Sequence, residues 1–325
     1  MFRRAVLSSS LASAIAVTGA RAQDSAKPVR IGWLTAQTQA SLAPYVEAFR
    51  WGLARLGLVE GRTLTIEYAY GGDSLEKVPA LATQLIRNGA RLIVAQGAAV
   101  PLLAKQQLPV PVVYVFSGDP VSAGLADSLA RPKGNMTGLT FMAAELNGKR
   151  LELLRQIVPR LKRVALIANP EHPGEHLERD YTTETARKLG LDLTYYSTPS
   201  RSALDAALEA LKADPPQAVS VFADGFAVAN RRTIIDAATA LRVPVISGWP
   251  VFAQAGAICT YGPLLSACYE RLAHFADRVL AGESPTSLPI EQPTTFELVL
   301  NQKAARTLGL TLPPTVFAAA DSVLD

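Results

Sequence analysis

What this 325-residue chain lacks first is a motif of reaction chemistry. It has no G-x-S-x-G nucleophile elbow, no G-x-G-x-x-G dinucleotide fingerprint and no G-x-x-x-x-G-K-[ST] phosphate loop. Those absences remove the common nucleophilic and nucleotide-dependent functions, and no cofactor is expected. A basic stripe is missing as well. Arg231-Arg232 and Lys162-Arg163 are scattered pairs, so no nucleic-acid partner is expected. Cysteine is scarce: Cys259 and Cys268 are the two, nine residues apart. An exported chain could join them, but Cys packs as a small hydrophobe, and two buried free thiols are the favoured expectation. His172 and His176, beside Glu171 and Glu175, have the four-residue spacing of metal ligands. Pro173-Gly174 breaks the helix that spacing needs, so a solvated loop at a cleft rim is expected there, without a metal.

The first 22 residues read as a secretory signal peptide. Arg3 and Arg4 open it, Leu7 to Val17 is a short apolar run, and Ala20-Arg21-Ala22 offers a cleavage site. The run is too short for a permanent membrane span. No cysteine follows it, so no lipid anchor is expected; the mature chain should be soluble in the periplasm, exported by the Sec or the twin-arginine route. Removing this segment takes away three arginines and no acid, so the formal net charge of +4 falls to +1.

What is present is a repeated alternation of short apolar runs with helical periods. Pro111–Phe116 is a β-branched and aromatic run of the kind buried on both faces of a sheet, and it stops at Ser117-Gly118-Asp119-Pro120. Val29–Leu34, Leu64–Tyr70, Leu92–Ala95 and Asn135–Phe141 are the other strand candidates of the first half. Val78, Leu81, Ala82, Leu85 and Ile86 mark an amphipathic helix between two of them. The scheme then restarts with strands at Val164–Ala168, Leu191–Tyr196, Ala218–Ala223 and Val243–Ile246. Trp33 is expected in the core, and Arg150 and Arg155 on the solvated face of their helix. In the tail, Leu272, Phe275, Ala276, Val279 and Leu280 form a strong helix and Phe296–Leu300 a further strand.

Two βα series of similar length predict an α/β protein of two doubly wound, Rossmann-like lobes joined by a multi-strand hinge. Residues 28–143 with 264–291 make the first lobe, and 144–263 with 292–325 the second. Ligands of open parallel sheets sit outside the carboxyl ends of the strands. That edge collects Thr35, Gln37, Gln96, Gly97, Ala98, Ser117 and Asp119 from the first lobe. From the second it takes Asn169, Asp224, Phe226 and Trp249, with Tyr261 near a crossover. Hydrogen-bonding groups with aromatics suit a small polar or zwitterionic solute. The backbone N–H groups at Gly97 can hold a carboxylate, and Asp119 or Asp224 an amino group. Replacing Asp224 by Ala should therefore cost affinity more than stability. An exported enzyme using Asp119 or Asp224 as a general base across the same cleft, and a sensor domain for a membrane signalling partner, remain alternatives.

The segments resemble the type I periplasmic binding proteins, within them the ABC-transporter substrate-binding group with tryptophan- and tyrosine-binding members. The resemblance rests on I-G-W-L-T at 31–35, G-L-V-E-G at 57–61, V-F-S-G-D-P at 115–120 and N-M-T-G-L-T at 135–140. It continues with G-K-R-L-E-L-L at 148–154, Q-P-T-T-F-E-L-V-L-N at 292–301 and L-G-L-T-L-P-P at 308–314. It implies a monomeric receptor, not an enzyme, that closes on an amino acid, an aromatic one included, or a related carboxylate. An inner-membrane ABC permease is then the protein partner. Relatives often read G-T-P or G-G-T where this chain has Gln96-Gly97-Ala98, and small polar residues where it has His172 and His176.

Overall fold

The computed structural model describes residues 28–72, 74–142 and 144–325. The signal-peptide reading of residues 1–22 lies outside them. Among the described residues, no helix is long and apolar enough to cross a membrane.

Five parallel strands make the first sheet: β1 (Val29–Thr35), β2 (Leu64–Tyr70), β3 (Leu92–Gln96), β4 (Val112–Phe116) and β7 (Met136–Thr140). Their order is β2-β1-β3-β4-β7. Period-two alternation divides the side chains between two cores. Ile31, Trp33, Val94, Val113 and Val115 enter one, and Leu34, Ala95, Val112, Tyr114 and Phe116 the other. A strand so placed needs apolar residues on both faces, which is why these runs read as continuous. A small hairpin, β5 (Ala126–Ser128) and β6 (Arg131–Pro132), is added beside this sheet; short polar strands of that kind leave no pattern to read.

Helices α1 (Gln39–Arg55), α2 (Val78–Arg87) and α3 (Ala99–Gln106) connect the first strands. Val78, Ala82 and Leu85 give α2 its buried face. The tail helix α10 (Leu265–Leu280) returns to this lobe and packs on α1. The approach is close because α1 carries Gly52, where a Cβ would stand 2.8 Å from the Cβ of Ala273. Tyr269 of α10 stacks between Trp33 and Tyr45, at ring separations of 5.9 and 5.1 Å. Trp33 is fully buried, as the sequence implies.

The second sheet holds β8 (Arg163–Ala168), β9 (Asp192–Ser197), β10 (Ala218–Val221), β11 (Val245–Ser247), β12 (Cys259–Pro263), β13 (Phe296–Asn301) and β14 (Ser322–Leu324). Its order is β14-β13-β12-β11-β10-β8-β9. The pairs are parallel except that of β12 with β13. Helices α4 (Glu145–Ile157), α5 (Glu175–Leu189), α6 (Arg201–Ala213), α7 (Gly225–Ala229), α8 (Arg231–Ala240) and α9 (Pro250–Ala255) belong with it, as do α11 (Gln302–Leu308) and α12 (Pro314–Ala318). Cys259 and Cys268 are free and buried. Burial pushes both thiols up to about 12, which keeps them protonated and inert.

The chain crosses between the sheets after β7, after β12 and before β13, and the crossings are tied together. Thr140 N–H donates to Glu291 O at 2.9 Å and Glu291 N–H to Gly138 O at 3.0 Å. Gln292 Nε2 donates to Met142 O at 3.1 Å, and Leu264 N–H to Thr295 O at 3.0 Å. The three crossings are thereby held side by side as one connection between the lobes.

Candidate functional site

In each sheet the strand order reverses once inside the parallel series, between β1 and β3 in the first and between β8 and β10 in the second. A ligand crevice is expected outside the strand ends at such points. In the second sheet Asn169, after β8, and Phe222, Ala223 and Asp224, after β10, line a small void together with His172, Glu175 and Glu178. A second void lies against Ser117, Phe141, Met142, Arg150, Glu178, Ala223, Trp249 and Pro263. The two share Glu178 and Ala223.

The lobes meet across this region. Ser117 Oγ and His172 Nε2 are hydrogen-bonded at 2.9 Å, and Asp119 N–H donates to Pro173 O at 2.9 Å. Phe116 stacks on the His172 ring at 6.3 Å, and Phe141 stands edge-on to Trp249 at 6.4 Å. Two glycines permit the approach. A Cβ at Gly118 would stand 2.7 Å from Pro173 O, and one at Gly174, whose φ is +87°, 2.6 Å from Asp119 Cβ. The arrangement is shut: the inter-lobe void offers about 20 Å³ to the centre of a water-sized sphere. That is room for roughly one water. A solute of amino-acid size does not fit that void.

The residues singled out in the sequence divide between the voids and their supports. Ser117, Asn169, Asp224 and Trp249 line the voids. Thr35, Gln37 and Gln96 satisfy one another: Gln96 Nε2 donates to Thr35 Oγ1 at 2.6 Å and to Gln37 Oε1 at 3.0 Å, while its Oε1 accepts from Tyr269 at 2.9 Å. Both amide donors are thereby occupied inside the first lobe. Gly97, with φ +63°, donates to Val115 O, and Ala98 precedes α3. Asp119 caps its own turn, accepting from Ser122 N–H at 2.6 Å. Phe226 packs on the second lobe's core, and Tyr261 on Phe296 at 6.3 Å.

Asp224 is an N-cap as well as a lining residue. Its Oδ1 accepts from Ala227 N–H at 2.7 Å, and burial raises its pKa to about 6 against the backbone hydrogen bonds that lower it. Removal of its side chain therefore costs fold stability, about 0.5–2 kcal/mol for a lost cap. That loss of stability would accompany the larger loss of affinity expected of Asp224→Ala.

Two expectations are overturned. Arg150 is 5% exposed rather than solvated. Its Nε donates to Tyr261 O at 2.8 Å and its Nη1 bonds Asn147 Oδ1; Asn147 Nδ2 in turn donates to Glu178 Oε1 at 2.9 Å. Burial lowers the Arg150 pKa to about 10, which still leaves it charged near neutrality. Spacing carried the signal: Leu146, Arg150, Leu153, Leu154 and Ile157 are i, i+4, i+7, i+8 and i+11 of one buried helical face. His172 is likewise enclosed between lobes rather than solvated, and burial lowers its pKa to about 4. His176 is exposed. The helix break at Pro173-Gly174 is as expected, with α5 starting at Glu175. Among the described residues, no group of three or more His, Cys, Asp or Glu side chains is placed to hold a metal ion.

Sequence reasoning missed Glu175 and Glu178. They share the inward face of α5 with Thr182 and Ala186, and that periodicity was again the available signal. Burial raises the Glu178 pKa, against the Asn147 hydrogen bond and the Arg150 charge, while the nearby Asp224 and Glu175 raise it further.

Two α/β lobes meeting at their strand tips over a three-strand hinge define a type I periplasmic binding fold. Residues 36–324 match the family model for ABC transporter substrate binding proteins, and the chain belongs to that family. A tyrosine-binding protein from Clostridioides difficile is 23% identical over 295 residues, spanning 88% of this chain and 83% of the relative. A Streptococcus pneumoniae domain solved in complex with L-Trp superposes with a TM-score of 0.83 at 22% identity, over 91% of this chain and all of that one. A ligand-free, open substrate binding protein from Clostridium difficile gives 0.71 at 20% identity, over 91% of this chain and 99% of its own.

Proposed function

We propose that this chain is the periplasmic solute-binding component of an ABC importer. In this reading it closes two lobes on a small solute of the amino-acid class and presents it, as a monomer, to an inner-membrane permease. The lobes divide at residues 143/144, 263/264 and 291/292, and the leader is removed on export. The observation that carries the reading is the direct contact of two strand-tip loops, Ser117–Asp119 and His172–Gly174, over voids too small for a solute. Such a site must open to load and shut to hold. The named ligands of the relatives, tyrosine and tryptophan, support an amino-acid class.

A thermal-shift screen of amino acids tests it. At 100 times Kd, a ligand that binds only the folded state adds about 2.7 kcal/mol to stability. A binder should be recovered chemically unchanged by mass spectrometry, as an enzyme's substrate would not be. A screen in which no small solute raises Tm would remove the proposal's support.

A further inference from the structure

Arg150 of α4 is a buried cation, 5% exposed. Two of its three guanidinium nitrogens are spent on the fold. Nε donates to Tyr261 O at 2.8 Å and Nη1 to Asn147 Oδ1, which fixes the plane of the group between β12 and its own helix. Nη2 makes no hydrogen bond among the described residues, and no carboxylate there pairs directly with the side chain. Glu178 acts on it through space, with Asn147 standing between them. A buried guanidinium is costly unless an anion meets it. Bracing α4 against β12 does not require that charge, because a neutral donor serves a backbone carbonyl as well.

The uncommitted nitrogen stands at the wall of the inter-lobe void. Arg150 lines that void with Ser117 and Phe141 of the first lobe and Ala223 and Trp249 of the second. A Cβ at Gly248 would stand 2.6 Å from Arg150 Nη2 and 3.1 Å from Ala223 Cβ. Nη2 therefore lies beside Ala223 and the residue preceding Trp249, in space that a side chain at 248 would fill. We propose that Arg150 is the carboxylate anchor of the solute site, with Nη2 donating to the carboxylate of an amino-acid solute. A charge-assisted hydrogen bond of this kind is stronger than a neutral one, and the solute supplies the anion that the fold omits. Glu178 lines the same void but is reached from Nη1 through Asn147, which leaves the Nη2 side to the anion. The edge-on Phe141–Trp249 pair supplies an apolar wall for the rest of the solute.

The inference rests on the solute-binding reading, and paired solutes separate the two. Calorimetry at pH 7.5 compares L-leucine, L-phenylalanine, L-tyrosine and L-tryptophan with 3-methylbutylamine, phenethylamine, tyramine and tryptamine, which lack only the carboxylate. The wild type should prefer whichever amino acid binds over its own amine by roughly tenfold or more, the worth of a charged hydrogen bond. Arg150→Gln should erase that preference while weakening the amine little, and Arg150→Lys, which keeps the charge, should retain more of it; each variant's folding is checked by its thermal transition. Equal weakening of both members of a pair, with the preference intact, would assign Arg150 to bracing alone and overturn the inference. An amine that binds the wild type as tightly as its amino acid would overturn it too, and that result needs no variant to fold. Either outcome leaves the receptor standing. No heat from any of the eight would count against both.

Discussion

Acid should loosen the closed form through His172. In the closed arrangement its ring is sandwiched between Phe116 and the second lobe, with Nε2 on Ser117 and Nδ1 buried without a partner. Burial moves its pKa from 6.5 to about 4. A proton thus binds the freed ring more tightly than the enclosed one. The contribution of neutral His172 to closure is complete above about pH 6.5, falls as pH drops towards 4, and changes no further below that. A span of that size sets the ceiling on the effect, on the order of 100-fold in the open-to-closed ratio, reached only if opening frees the ring completely. Asp224 and Glu178 act in the opposite sense. Their raised pKa values make the enclosed state gain protons as pH falls through the Asp224 value of about 6 towards the ordinary carboxylate range. The comparison must therefore be a difference between the wild type and His172→Gln, in which both carboxylates are retained. Interlobe distance is followed by single-molecule energy transfer between labels on the two lobes, without ligand, from pH 7.5 to 4. The wild type should open with falling pH by a clearly larger factor than the variant. Parallel curves would refute the claim that His172 is the group whose burial holds the lobes together.

Gly118→Ala should favour the open form, because its Cβ would stand 2.7 Å from Pro173 O of the opposite lobe; small-angle scattering should report a larger radius of gyration without ligand. Unchanged scattering would mean the loops give way easily. Asp224→Asn should keep the α7 cap and lose solute affinity, whereas Asp224→Ala should lose affinity and about 0.5–2 kcal/mol of stability in urea; identical stabilities would argue that the cap is idle. Gly262→Ala should destabilise severely, since its Cβ would fall 1.9 Å from the backbone oxygen of Gly248, and a normal urea midpoint would contradict that packing. Cys259 and Cys268 should resist Ellman's reagent in the native state, and reductant should leave Tm unchanged.

How much of this was legible in the sequence depended on whether the physics was local. The β-branched run Val112–Phe116 had to be a doubly buried strand, and Pro173-Gly174 had to interrupt a helix before Glu175. The edge of the sheet where a ligand would sit was also legible, because parallel strands carry their polar residues at their carboxyl ends. Which polar residues were free to face a ligand was not. Thr35, Gln37 and Gln96 read as equal candidates with Ser117, but the first three consume one another's hydrogen bonds, through Tyr269 from a helix 173 residues further along the chain. Arg150 could have been placed from its helical period, and Asn147 stands beside it on the same helix, yet its partner Tyr261 could not, since it arrives on β12.

The order of residues alone determined two βα lobes, their cores and the line of strand tips, because those follow from hydrophobic period and turn chemistry within a few residues. Tertiary structure alone decided the pairing at the site: His172 onto Ser117 across the cleft, and Glu178 onto Asn147 within the second lobe. The reason is that the Ser117–His172 and Arg150–Tyr261 bonds join segments more than 50 residues apart, and no local pattern records which donor reaches which acceptor.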